Sequence, residues 1–168
     1  MNLSNDERGL LRDLSLERIS YDELLLQYPS LSNKKYILSI FEYSAKIKDE
    51  NLLEYVISLF YSSGFVQSSC EYFCDILTQD WHKQHEEIVR IFQFKLNCQC
   101  SISSIEKALS FKYEYLELTG DYNSFVIKCM YAIASLKNTC SKNSLNKLSQ
   151  SPVAEIRQAA EFQLKRIE

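Results

Sequence analysis

Between Asp49 and Gly64 the residues Leu52, Leu53, Val56, Ile57, Leu59 and Phe60 fall around most of a helix's circumference. A helix that is apolar on nearly every side cannot lie on a surface and must be enclosed by neighbours. The same pattern recurs at Phe125, Val126, Cys129, Met130, Ile133 and Leu136. Glycine occurs 3 times and proline twice, while hydrophobic residues make up 46% of the 168 residues, so material to bury is plentiful and turn-formers are scarce. A many-stranded sandwich needs a turn about every ten residues, whereas long helices with short connections fit this composition. The expectation is an all-α domain of antiparallel helix pairs, about nine to ten helices in a short stack whose enclosed helices are shielded by those on either side.

Taken in order, Ser4 with Glu7 and Ser20 with Glu23 have capping-box spacing ahead of leucine-rich segments, which predicts two short N-terminal capping helices over residues 1–31. Four helix pairs follow, over 32–64, 65–98, 99–139 and 140–168, all within one domain. Asp49 is expected to cap the helix already described, Asp80 to lie at the turn of the second pair, and Ser103 with Glu106 to form a third capping box. One long helix is expected through Ile102, Ile105, Leu109, Tyr113, Leu116 and Leu118 to Gly120, with Asp121 capping the next. After a polar hinge at Asn138 to Asn143, Leu145 and Leu148 close one stripe, Ser151 and Pro152 restart the chain, and Ile156, Ala160, Leu164 and Ile167 draw the last.

Pair starts near Asn33, Val66, Cys100 and Lys142 are 33, 34 and 42 residues apart, within the period range of helical solenoids. Pro152, Val153, Glu155, Ile156, Arg157, Ala159, Ala160 and Leu164 resemble the second helix of a HEAT repeat, with its proline-opened start and small residues at close packing positions. The tetratricopeptide pattern fits the earlier pairs less well. The HEAT resemblance implies a short solenoid that serves as a binding surface.

The bulk properties narrow the function classes. The start MNLSNDERGLLRDLS is polar, without the basic and apolar regions of a secretory signal, and no apolar run reaches the ~18 residues of a membrane span. A cytoplasmic, soluble protein is therefore expected, with no membrane partner. Six cysteines, Cys70, Cys74, Cys98, Cys100, Cys129 and Cys140, then read as reduced and mostly buried thiols. The net charge of −3 argues against nucleic acid as the main ligand.

No motif for catalysis stands out, and the expectation is a non-enzyme without cofactor or metal. Cys70, Cys74, His82 and His85 make a C-x3-C-x7-H-x2-H array, but both cysteines share a helical stripe with Phe73 and Leu77 and the spacing is short for a zinc finger. They read as buried thiols beside exposed histidines. A Cys74 nucleophile with His82 or His85 as base is the one catalytic pairing conceivable. Cys98 and Cys100 make a C-x-C at a helix end, read as packing or loop cysteines ahead of a thiol switch.

Charge is unevenly spread. From Val66 to Phe125 nine acids face five bases, a net −4, and from Val126 onward three acids face seven bases, a net +4. Trp81, Tyr113, Tyr115 and Tyr122 lie among the acids and are aromatic anchors of the kind that dominate interfaces. In general character the chain resembles the small bacterial immunity proteins of contact-dependent growth inhibition and other polymorphic toxin systems. That resemblance implies one-to-one binding of a cognate toxin protein, often a nuclease whose basic cleft an acidic surface blocks. The expected partner-binding residues are Asp80, Trp81, Glu86, Glu87, Glu114, Glu117, Asp121 and Tyr122. The alternatives are a HEAT-like scaffold for a cellular protein, and a nucleic-acid binder using Lys142, Lys147, Arg157, Lys165 and Arg166.

Overall fold

The computed structural model describes residues 3–96 and 98–167, and the fold is all-α, with no strand among the described residues. Glu168, the last residue of the closing stretch, lies outside them. The chain divides into two compact units, Met1–Ser68 and Ser69–Glu168, close to the 64/65 boundary expected between helix pairs.

In the first unit α1 (Asn5–Ser15), α2 (Tyr21–Gln27) and α3 (Lys34–Ile47) all pack on α4 (Glu50–Ser63), which satisfies the all-round apolar pattern of that helix. Leu52, Leu53, Val56, Ile57, Leu59 and Phe60 are all buried, and Phe60 meets Phe41 edge to face at 5.7 Å. Both N-terminal capping boxes form: Ser4 Oγ accepts from the Glu7 amide at 3.2 Å and Ser20 Oγ from the Glu23 amide at 3.2 Å. Asp49 caps α4, accepting from the Leu52 amide at 2.9 Å, and its other carboxylate oxygen pairs with Arg8 of α1. Burial alone would raise the Asp49 pKa, but the Arg8 hydrogen bond and the Leu52 amide outweigh it and hold the carboxyl below its ordinary value.

The second unit comprises α5 (Cys70–Leu77), α6 (His85–Phe94), α7 (Cys100–Ala108), α8 (Glu114–Thr119), α9 (Tyr122–Ser135), α10 (Thr139–Leu148) and α11 (Ala154–Ile167). Here α9 is the enclosed helix: α6, α7, α8, α10 and α11 all contact it. Phe125, Val126, Cys129, Met130, Ala132, Ile133 and Ala134 are buried between them. The second helices of the three successive pairs, α6, α9 and α11, form a row with α9 in the middle, and the first helices α5 and α7 pack side by side.

Several sequence expectations are corrected. The helix expected to run through residues 102–118 is broken into α7 and α8, because Tyr113 turns inward with extended backbone at ψ 111° and is buried. Its hydroxyl donates to the Leu77 carbonyl at 2.9 Å, and a 3.6-residue period cannot register that inward turn. Ser103 and Glu106 do not form a capping box. Ser103 lies inside α7 and donates to the Cys100 carbonyl, while Glu106 reaches α10, accepting from Ser144 at 2.6 Å and Lys147 at 2.6 Å. Asn138 is a cap rather than part of a loose hinge, accepting from the Ser141 amide at 2.8 Å so that α10 starts directly after it. Asp121 stands at the N-cap of α9 without a side-chain hydrogen bond to it. Helix α11 begins at Ala154, two residues beyond Pro152. Ile156 and Ala160 of its stripe are buried, and Leu164 and Ile167 are half-buried.

The closing helix covers one side of α9, so its removal exposes apolar surface. A chain ending before Ser151 is expected to melt at a lower temperature than the full chain. Ile156→Ala alone should cost about 2–4 kcal/mol in urea unfolding.

Candidate functional site

The last carbonyls of a helix have no partner within it and, when buried, must find one elsewhere. At the end of α5 three side chains supply the donors. His82 Nε2–H donates to the Ile76 carbonyl at 2.9 Å, Tyr113 to Leu77, and His85 Nε2–H to the Gln79 carbonyl at 2.8 Å. The second ring nitrogens are also engaged: His82 Nδ1 accepts from the Gln84 amide at 3.1 Å and His85 Nδ1 from the Tyr115 hydroxyl at 2.9 Å. The two imidazoles stack at 4.3 Å, and Tyr113 lies 3.8 Å from His85.

Both histidines are therefore buried, against the expectation of exposed ones, because they cap a helix in the interior. Burial, then the neighbouring His82, pushes the His85 pKa down to about 3. With both ring nitrogens committed, neither histidine acts as a base for Cys74 or joins Cys70 and Cys74 in a metal quartet. Tyr113 and Tyr115 likewise serve the interior rather than a surface.

The sulfurs of Cys70 and Cys74 meet those of Cys98 and Cys100 instead, all four within 4.8 Å of one another, with Cys70 and Cys98 joined as a disulfide. Burial, with the adjacent Cys100 adding to it, pushes the Cys74 thiol up to about 12. The expectation of reduced and mostly buried cysteines is corrected in part: Cys70 and Cys98 are bridged while the other four are free, and of those Cys74 and Cys129 are buried, but Cys100 and Cys140 are exposed because they lie at helix starts.

The eight expected partner-binding residues occupy different settings. Asp80, Glu114, Glu117 and Asp121 are exposed, and Trp81 and Tyr122 are half-buried, Trp81 standing edge-on to His82 at 5.0 Å. Glu86 is half-buried and paired with Lys128 of α9 at 2.8 Å, and Glu87 pairs with Arg90 at 3.1 Å. Those two carboxylates serve contacts within the fold, the first of them between α6 and α9.

A feature with no sequence signal of its own lies between α9 and α11. Asn123, Ile127 and Tyr131 from one helix and Glu155, Gln158, Ala159, Phe162 and Gln163 from the other line an open groove of about 390 Å³. Ile127 and Phe162 keep 41% and 54% of their surface in solvent, large for apolar side chains on adjoining helices. Glu155 makes one end of the groove acidic. The Tyr122 hydroxyl, on the residue before Asn123, is pushed up from its ordinary pKa by burial and then by Glu155, Cys129 and Glu117. At the other end Arg166 donates to the Tyr131 hydroxyl at 2.7 Å and lies 5.3 Å and 5.6 Å from the centres of the Tyr131 and Phe162 rings. Each aromatic thereby makes a cation–π contact with the same guanidinium. Neither Ile127 nor Phe162 belongs to the stripes read from the sequence, and their meeting depends on how α9 and α11 pack.

The basic residues of the C-terminal end are largely engaged within the fold. Lys147 pairs with Glu106, Arg157 donates to the Ser151 carbonyl at 2.8 Å, and Arg166 holds Tyr131, while Lys142 and Lys165 are exposed. No helix among the described residues is long and apolar enough to cross a membrane. No family model, curated protein or solved structure matches this chain.

The His85 geometry sets a pH dependence. A base whose pKa is depressed in the fold stabilises it fully above the unfolded value of 6.5, and that contribution is lost as pH falls towards about 3. Unfolding free energy should drop by about 2 kcal/mol from this group between about pH 7 and about pH 5, with the slope reduced in His85→Gln. Tyr113→Phe, which leaves the buried Leu77 carbonyl without its donor, should cost about 1–3 kcal/mol at any of these pH values.

Proposed function

We propose that this chain is an immunity protein that binds a cognate bacterial toxin domain, one to one, in the cytoplasm, and blocks its active surface. The observation that carries the reading is the groove between α9 and α11. It presents the aromatic and aliphatic side chains of Tyr131, Phe162 and Ile127 beside the exposed carboxylate of Glu155. Interfaces concentrate their energy in a few aromatic and arginine anchors, and complementary charge at the rim speeds encounter and sets register. A partner with a basic cleft, such as a nuclease, matches the acidic end. The chain's two histidines are held in the interior, so the reading is of a binding protein rather than an enzyme.

A HEAT-like scaffold for a cellular protein is the second reading. It draws on the row formed by α6, α9 and α11, the arrangement of stacked helix pairs. It would use the same groove, and it differs in that the partner is not a toxin. Nucleic acid is a weaker third reading because Lys147, Arg157 and Arg166 each already bond a group of the chain itself, the first and last of them at the surface.

Co-expression with a bacterial toxin domain that the chain binds tests the first reading: the wild-type chain should protect the cell, and Phe162→Asp should abolish protection without lowering the melting temperature. A chain that binds a non-toxic protein and gives no protection would favour the scaffold. Glu114→Lys with Glu117→Lys should cut the association rate about tenfold at low salt and flatten its salt dependence. An unchanged rate would remove these two residues from the interface.

A further inference from the structure

Cys70 and Cys74 stand one turn apart on the same face of α5, and Cys98 and Cys100 bracket the start of α7, which packs against α5. The Cys70 sulfur lies 3.8 Å from Cys74 and 3.1 Å from Cys100, and Cys74 lies 3.4 Å from Cys100. A zinc ion bonded to four sulfurs at about 2.3 Å holds them about 3.8 Å apart along the edges of a tetrahedron. The four sulfurs here already occupy a volume of that size, within 4.8 Å of one another.

Apolar packing does not explain the convergence. Cys100 is exposed and Cys70 and Cys98 are half-buried, so three of the four are not core residues. A single disulfide does not explain it either, because it uses Cys70 and Cys98 and leaves two further thiols gathered against them. Closed four-sulfur zinc sites draw their ligands from close-spaced pairs, typically with about two to four residues between them; Cys70 and Cys74 have that spacing, and Cys98 and Cys100 are closer still. The exposed sulfur of Cys100 gives an ion its way in.

The geometry points to a structural zinc site formed by Cys70, Cys74, Cys98 and Cys100 in the reduced chain, tying α5 to α7. Each sulfur binds as a thiolate and its proton passes to solvent. The Cys70–Cys98 disulfide and the metal exclude one another, since two of the ligands are shared. Reduction by a phosphine and water, which gives two thiols and the phosphine oxide, opens the site. The site is independent of which partner the groove receives.

The test uses the full chain, reduced with a phosphine under nitrogen and titrated with Co2+ and then Zn2+. The expected result is saturation at one equivalent, with the thiolate-to-cobalt charge-transfer absorption and visible bands of tetrahedral Co2+, bleached when Zn2+ is added. Zinc should also raise the melting temperature of the reduced chain. Cys74→Ser and Cys100→Ser should lose the tetrathiolate spectrum, whereas Cys140→Ser, whose sulfur contacts Gln99 at 2.9 Å and lies outside the four, should keep it. A reduced wild-type chain that gives no such spectrum, or a spectrum that persists in Cys74→Ser and Cys100→Ser, would overturn the proposal. So would a reduced chain that binds neither metal and reoxidises to Cys70–Cys98 and Cys74–Cys100 disulfides.

Discussion

The second unit depends on the enclosure of α9. With buried side chains from Phe125 to Ala134 around its circumference, this helix is stable only while other helices cover it. Burying each large apolar side chain contributes about 2 kcal/mol, and helices α6, α7, α8, α10 and α11 supply that cover. Coverage is incomplete on one strip. Asn123, Ile127 and Tyr131 lie four residues apart along one edge of α9, and the space between that edge and α11 is the groove. The candidate binding surface thus follows from the helix that the fold is built around.

A second requirement shapes the other side of the unit. Helix α5 ends on the buried residues Ile76 and Leu77, whose carbonyls take His82 and Tyr113 as donors, and His85 donates to the Gln79 carbonyl just beyond. Meeting that need draws the two histidines out of solvent, breaks the helix expected across residues 102–118, and brings Tyr115 against His85. At its start the same helix carries Cys70 and Cys74 to the sulfurs of Cys98 and Cys100. Polar side chains fasten one end of α5 and sulfur chemistry the other.

These two causes also explain what could be read from the sequence. Elements with local determinants were legible: the capping boxes at Ser4 and Ser20, the Asp49 cap, and the left-handed glycines 64 and 120 at helix ends all depend on residues a few positions apart. The buried stripes of α4 and α9 were legible because periodicity records burial directly. Tyr113 was not, since its partner carbonyl is 36 residues away, and Glu106 left its expected capping box for Ser144 and Lys147, 38 and 41 residues away. None of the eight expected interface residues lines the groove, Tyr122 being the neighbour in sequence of Asn123, which does, and Glu86 and Glu87 are used in ion pairs within the fold. Phe162 escaped notice because an exposed aromatic on a polar helix has meaning only beside the helix it faces.

The central claim is that the partner sits on the strip α9 leaves open, and hydroxyl-radical footprinting of the chain, free and bound to the partner purified with it from its source, tests this directly. Ile127, Tyr131 and Phe162 should lose reactivity on binding, while exposed apolar side chains elsewhere, Leu26 and Phe94 among them, keep theirs. Unchanged reactivity at Phe162 and Tyr131, with protection at Leu26 or Phe94 instead, would contradict it.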